Sequence, residues 1–200
     1  MHVKSSSIKE IQDIKRIKKY FLSSGLKSNR ALEWDKHLLY FILGINTCYK
    51  SDELLCLKWS DILNCNNMSV NDYITYCDYK FYLNTSCKNI LYYFIGKYNS
   101  IKTDGYVFES RSKPYKPITS EAVNKKYRTI QEELNLNFDF STMSLRKTFA
   151  YWQIFYCHRD YVKMSKLKEL LHTMNIGNDI NIFACYDINN DKVYINDINL

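Results

Sequence analysis

The sequence contains no apolar run long enough to span a bilayer, because its 18 Tyr residues and many Asn and Lys residues interrupt each hydrophobic segment. This absence argues against a transmembrane helix and against a membrane partner. Residues 1–7 also lack the apolar core and the small-residue cleavage site of a signal peptide. We therefore expect the protein to stay in the cytoplasm.

Closely spaced cysteine pairs are lacking as well. The seven cysteines form an odd set without a Cys-x-x-Cys pair, which argues against both a disulfide framework and a zinc cage. We interpret them as small apolar side chains of the interior. Because no other spacing of ligand residues suggests a metal, we expect neither a metal nor an organic cofactor.

The length of 200 residues, of which 46% are hydrophobic, suffices for one domain with a core of its own. No repeat of solenoid length occurs. We expect one domain over residues 1–188, followed by a tail at residues 189–200. This tail is rich in Asn and Asp and should be loosely held unless a partner subunit binds it.

Apolar residues recur at helical spacing along most of the chain. The spacing predicts helices at about 8–22 (ending before Ser23-Ser24-Gly25), 29–44, 51–57, 86–98, 119–134, 141–155 and 161–171. Residues 64–84 are instead rich in Tyr, Thr, Val and Ile, which predicts a small antiparallel strand unit, and residues 106–108 read as a further short strand. The predicted fold class is mainly α with a small antiparallel β-sheet (α+β).

The formal charge of +7 is distributed unevenly along the chain. One basic run lies between residues 111 and 128 and includes Glu121 as its one acidic residue; two further clusters lie at residues 15–19 and 146–168. Basic surfaces of this kind neutralise phosphates and release counterions, which favours a nucleic-acid partner. The alternative is that each cluster is a solvated helix face.

Two segments carry a more specific signal. Residues 43–62 read Leu-Gly-Ile-Asn-Thr-Cys-Tyr-Lys-Ser-Asp-Glu-Leu-Leu-Cys-Leu-Lys-Trp-Ser-Asp-Ile, and residues 144–151 read Ser-Leu-Arg-Lys-Thr-Phe-Ala-Tyr. They resemble, in the right order, the first and second signature boxes of the phage integrases, or tyrosine recombinases. The similarity spans roughly residues 8–188, which corresponds to the catalytic domain of that family.

The resemblance implies the fold of the DNA breaking-rejoining enzymes and, for an active member, a defined chemistry. A tyrosine attacks a backbone phosphate, two arginines hold its non-bridging oxygens, and a histidine and a lysine transfer protons. No metal or cofactor takes part in this chemistry. Arg146 matches the second arginine of the family, and its planar guanidinium suits a bidentate phosphate contact.

The chain differs from the family at two of the catalytic positions. Lys50 stands at the position of the first arginine, and Met143 stands at the position of the histidine of the second box, where a thioether transfers no proton. The resemblance leaves three further catalytic candidates. These are Lys80 for the lysine of the strand hairpin, His172 beside the histidine position of a third box at residues 170–174, and Tyr186 for the nucleophile.

Our first hypothesis is a DNA-binding protein of a mobile genetic element (a phage or plasmid) that is catalytically degenerate and acts as a regulator or accessory factor. The second is an active tyrosine site-specific recombinase, in which Lys50 and His172 fill the vacated positions and Tyr186 forms the phosphotyrosyl intermediate. The third is a protein–protein module that no longer binds DNA. The resemblance also implies homo-oligomers that form through the C-terminal segment. The residues predicted to contact double-stranded DNA are Arg111, Lys113, Lys116, Lys125, Lys126, Arg128, Arg146 and Lys147.

Overall fold

The computed structural model describes residues 5–47, 49–64, 66–76, 79–98, 101–157, 165, 187–189 and 192–194. It is mainly helical with a small β-sheet that contains an antiparallel hairpin, which confirms the predicted α+β class at that level. The elements, in chain order, are α1 (Ile11–Lys27), α2 (Ala31–Asn46), α3 (Ser51–Leu55), α4 (Trp59–Ile62), β1 (Tyr73–Tyr76), β2 (Tyr79–Tyr82), α5 (Thr85–Lys97), α6 (Ser120–Glu133), α7 (Thr142–Cys157), β3 (Asp187–Asn189) and β4 (Lys192–Tyr194).

Helix α2 forms the centre of the fold. Every residue from Leu38 to Asn46 is buried, and the helix contacts α1, α3, α5 and α7. The sequence explains this position, because its second half is apolar on all sides and such a helix is stable only when neighbours cover it completely. No helix in the described part of the chain is both long and apolar enough to cross a lipid bilayer.

Helix α1 extends further than the sequence predicts. We expected it to end before Ser23-Ser24-Gly25, yet it continues to Lys27. Gly25 is buried, and a β-carbon at this position would lie 3.4 Å from Asp35 Oδ1 and 3.5 Å from Trp34 Cβ. These distances are ordinary van der Waals contacts, and the packing of α1 against α2 outweighs the weak helix propensity of the segment.

The sheet is built on the predicted hairpin. Strands β1 and β2 pair antiparallel, with Tyr73 opposite Tyr82. Strand β4 lies parallel to β2, and β3 pairs antiparallel with β4, so that the order is β1-β2-β4-β3. The short strand predicted at residues 106–108 is wrong. Only isolated bridges form there, Lys58 with Tyr106 and Glu109 with Pro117, because the two ends of the segment pair with different neighbours.

A buried carboxylate joins α5 to α2. Asp35 Oδ2 accepts hydrogen bonds from Lys97 Nζ and Tyr98 Oη, each at 2.6 Å, and the Asp35 side chain is only 3% exposed. The hydrogen bond to Asp35 raises the pKa of Lys97.

The prediction that the cysteines are buried is confirmed for one of the two whose side chains the structure describes. Cys87 is buried, whereas Cys56 is exposed at the end of α3.

Candidate nucleic-acid interface

The two signature-like segments contact each other directly. Gly44 of the first segment lies in α2 and Leu145 of the second lies in α7; a β-carbon at Gly44 would lie 2.5 Å from Leu145 Cδ1 and 3.1 Å from Leu145 Cβ. Only a glycine fits this approach of α2 to α7. The structure thus brings together two segments that are about 100 residues apart in sequence.

Arg146 lies in the second turn of α7 and is only 9% exposed. The turn that precedes it is fixed by Ser144, whose hydroxyl accepts a hydrogen bond from Ser141 N at 3.0 Å and donates to Asp139 O at 2.8 Å. This arrangement caps the start of the helix with a short polar side chain. The turn that leads into the helix of Arg146 is therefore held by side-chain hydrogen bonds.

Lys147 and Thr148 bind the N-terminal segment of the chain. Lys147 Nζ donates to the Ser5 carbonyl at 2.7 Å, and Thr148 Oγ1 accepts from Ile8 N at 2.8 Å. Trp152 Nε1 donates to the Ile8 carbonyl at 2.9 Å. In this structure the ammonium of Lys147, which we predicted to contact DNA, is engaged with the protein backbone.

Two side-chain amides fix helix α6 to the beginning of α7. Asn124 Oδ1 accepts a hydrogen bond from Thr142 N, and Gln131 Oε1 accepts one from Phe140 N, each at 2.8 Å. Between these contacts, the Tyr127 ring stacks on Phe140 with the ring centroids 4.1 Å apart. The spatial relation between the basic helix and the second signature-like segment is therefore fixed.

The predicted basic run forms an exposed surface on α6 and on the loop of residues 109–118, which we call the basic surface. Its exposed cations are Arg111, Lys113 and Lys116 on the loop and Lys125 and Arg128 on α6. The loop is well ordered by its own backbone, since Ser110 N donates to Lys116 O at 2.7 Å and Glu109 Oε1 accepts from Tyr115 N at 2.7 Å.

Lys126 is less exposed than its neighbours. Its ammonium lies over the Trp34 ring at 3.9 Å from the centroid, and burial lowers its pKa. Lys126, Trp34 and Arg111 line one cavity of about 300 Å³ between α2, α6 and the basic loop. The two halves of the basic surface therefore adjoin across this cavity.

The predicted catalytic lysines have contacts of their own. Lys50 is exposed just before α3, with Nζ 3.8 Å from Glu53 Oε1. Lys80 is exposed on β2, with Nζ 4.5 Å from the Tyr73 ring centroid. Helix α3 contacts α7, which places Lys50 on an element adjoining that of Arg146. Met143, at the histidine position, is 51% exposed.

An acidic cavity beside Lys50 was not predicted from the sequence. Its volume is about 630 Å³, and its lining includes Glu53, Asp61 and Asp72. Two of these carboxylates are paired with lysines, Glu53 with Lys50 at 3.8 Å and Asp72 with Lys88 at 2.6 Å, so their charge is partly neutralised. The sequence signal was available, because acidic residues recur within and after the first signature-like segment, but the spacing alone does not show that they share one cavity.

The remaining catalytic candidates, His172 and Tyr186, lie outside the described residues, as do all of the basic residues between 158 and 168. Within the described part of the chain, no group of three or more His, Cys, Asp and Glu side chains is arranged to hold a metal ion.

Comparison of the chain with protein-family models, curated proteins and solved structures found no match. The tyrosine recombinase relationship therefore remains a prediction from the two signature-like segments.

Proposed function

We propose that this protein binds duplex DNA through a fold like the tyrosine recombinase catalytic domain, and that it acts as a regulator or accessory factor of a mobile genetic element without exchanging strands. The observation that carries the proposal is the contact between Gly44 and Leu145. A shared ancestry with the recombinases predicts that the two boxes meet in space, whereas chance similarity of two separate segments does not require such a contact.

The basic surface supports DNA as the partner. Its cations lie on an ordered loop and on one helix, and they are exposed to solvent. Lysine and arginine side chains presented in this way bind backbone phosphates and contribute most of the sequence-independent affinity. The fixed junction between α6 and α7 would hold Arg146 in a constant position relative to that surface.

The catalytic positions support binding without strand exchange. Lys50 offers a point charge where a bidentate guanidinium is expected, and its ammonium lies near the Glu53 carboxylate. Met143 has no proton to transfer. Because the members of a concerted site act together, the loss of two of them lowers strand cleavage by orders of magnitude.

Binding is tested with a mixed-sequence duplex and fluorescence anisotropy at several salt concentrations. We expect Lys125→Gln/Arg128→Gln to weaken binding uniformly across sequences and to reduce the slope of log K against log salt by about 2, or about 1 per lost phosphate contact. The control is Lys58→Gln/Lys102→Gln, which removes the same charge from exposed positions outside the basic surface. Equal effects of the two double variants would contradict the assignment of this surface.

Catalysis is tested with suicide duplexes that contain the sequence bound most tightly. We expect no covalent protein–DNA adduct from the wild-type protein, and we expect Tyr186→Phe to bind duplex as tightly as the wild type. An adduct that forms with the wild type and disappears in Tyr186→Phe would show an active recombinase instead.

A further inference from the structure

We propose that the cavity between α2, α6 and the loop of residues 109–118 is a binding pocket for a phosphate group. Arg30, Arg111 and Lys126 line it together with the hydroxyls of Ser110 and Ser112. This inference goes beyond duplex binding, because a pocket of this kind can accept a phosphorylated small molecule as well as a backbone phosphate. It therefore stands or falls independently of the proposed function.

The charge of the pocket is strongly unbalanced. Glu33 also lines it, but Glu33 Oε1 lies 3.7 Å from Lys36 Nζ and is thereby partly neutralised. Among the described residues, Arg30, Arg111 and Lys126 form no ion pair with a carboxylate. Three cations around one concavity repel one another, and a bound dianion would relieve that repulsion.

The pKa of Lys126 is lowered mainly by burial. The Glu133 carboxylate acts in the opposite direction, and the positive charge of Arg30 makes a smaller lowering contribution. The ammonium lies over the face of Trp34, which holds it at the pocket. An anion in the pocket would stabilise the charged form of the lysine, so the geometry favours a negatively charged ligand.

The loop presents neutral donors beside the cations. The Ser110 and Ser112 hydroxyl oxygens lie 3.2 Å apart, and the Ser110 hydroxyl also accepts a hydrogen bond from Lys113 N at 3.3 Å. The backbone bonds of this loop hold these groups in place before any ligand binds. Guanidinium, ammonium and hydroxyl donors in combination are typical ligands of phosphate oxygens.

A buried imidazole completes the lining. His37 Nδ1 is buried and has no hydrogen-bond partner within the described residues. Burial, together with the charges of Lys126 and Lys36, lowers the pKa of His37 to about 4, so that the ring is neutral at pH 7.

The size of the pocket limits the ligand. Its volume of about 300 Å³ is at the lower end for ligand pockets and accommodates a phosphate with an attached sugar.

The primary experiment titrates the full chain with inorganic phosphate, in exchange for chloride at constant ionic strength. The signals followed by NMR are the indole N–H of Trp34 and the ring protons of His37. We expect saturable shifts of both signals in the wild type. Arg111→Gln and Lys126→Gln should each weaken binding by about tenfold or more, as expected for a lost charge-assisted contact.

The control is Lys102→Gln, which removes one positive charge from an exposed position outside both the pocket and the basic surface. We expect it to bind phosphate like the wild type. The proposal is overturned if the wild type shows no saturable shift, or if Lys102→Gln weakens binding as much as the two pocket variants. Because Arg111 lies on an exposed loop, its variant remains informative even if Lys126→Gln impairs folding.

Competition then identifies the source of the phosphate. A nucleoside monophosphate that displaces inorganic phosphate while duplex DNA does not would show a pocket for phosphorylated small molecules, and this result would hold even if duplex binding failed. Displacement by duplex DNA would show that the pocket holds a backbone phosphate. Displacement by neither would count against the proposal, since a built site should accept phosphate esters.

Discussion

At the scale of single residues, the buried hydroxyl of Tyr127 lowers the stability of the fold. The Tyr127 side chain is completely buried in the core, and its Oη has no hydrogen-bond partner in the described part of the chain. Burial raises the pKa of this phenol well above its ordinary value. The ring itself packs well, since it stacks on Phe140 and contacts Phe21. The hydroxyl therefore loses its hydration without gaining a replacement.

We expect Tyr127→Phe to stabilise the protein by about 1–2 kcal/mol, because it removes an unsatisfied polar group and keeps the ring. The free energy of unfolding in urea measures the effect. Tyr40→Phe is the control: the Tyr40 hydroxyl is also buried but lies 2.9 Å from Ser51 Oγ, so its removal should destabilise the fold. Stabilisation by Tyr40→Phe alone would refute this explanation.

His37 should make stability depend on pH. Its pKa in the folded state, about 4, lies below the ordinary value of 6.5, so the unfolded chain takes up a proton that the folded chain does not. Stability should therefore decrease as the pH falls below about 6.5 and should level off near 4. Urea unfolding between pH 7 and pH 5 measures the slope. In His37→Gln the slope should be smaller; an unchanged slope would exclude His37 as its source.

At the scale of elements, the approach of α2 to α7 depends on glycine at position 44. We expect Gly44→Ala to destabilise the protein by about 1–3 kcal/mol, because the new methyl group must displace Leu145. Gly96→Ala is a matched control within α5: a β-carbon there meets no atom within 4 Å, so the variant should gain about 0.5–1 kcal/mol of helix propensity. Thermal unfolding measures both, and equal shifts of Tm would contradict the close contact.

The secondary structure of an element could be predicted where the residue pattern of the segment and its tertiary packing favour the same structure. The spacing of apolar residues predicted α6, and the structure adds the cap, since Thr119 Oγ1 accepts a hydrogen bond from Ala122 N. The end of α1 and the segment 106–108 were not predictable, because each is decided by contacts with other parts of the fold: Gly25 packs beside Trp34 of α2, and Tyr106 pairs with Lys58. Propensity carries no information about those contacts.

The candidate site was predictable to the same extent. The run of cations between residues 111 and 128 is visible in the sequence, and the structure exposes most of them. The phosphate pocket was not foreseen, because its remaining lining, Arg30, Trp34 and His37, comes from a helix about 80 residues earlier in the chain. The engagement of Lys147 by the Ser5 carbonyl is a contact of the same long-range kind.

At the scale of the whole molecule, the start of the described chain is attached to its last long helix. Thr148 Oγ1 accepts a hydrogen bond from Ile8 N and donates to the Ser144 carbonyl, and Ile8 itself is fully buried. The Thr148 hydroxyl therefore links residues that are 140 positions apart, and the contacts of Lys147 and Trp152 with the same segment reinforce this link. The ordering of such a long intervening chain makes this contact dependent on the complete fold.

Thr148→Val should leave the Ile8 amide without a partner and destabilise the protein by about 1–3 kcal/mol. Hydrogen exchange at the Ile8 amide should accelerate by more than exchange in α2. For comparison, Thr129→Val changes an exposed threonine on α6 and should alter stability by about 0.5 kcal/mol or less. Unchanged protection at Ile8 in Thr148→Val would show that the hydroxyl is dispensable.

The amide contacts between α6 and the beginning of α7 have a mechanical consequence. Asn124 and Gln131 bridge the connecting segment from the side, so that a force applied along α6 reaches Thr142 and Phe140 without first straightening a loop. If DNA bound to α6 is bent, the force that it exerts on this helix reaches the start of α7, which carries Arg146. We therefore expect α6 and the start of α7 to move together.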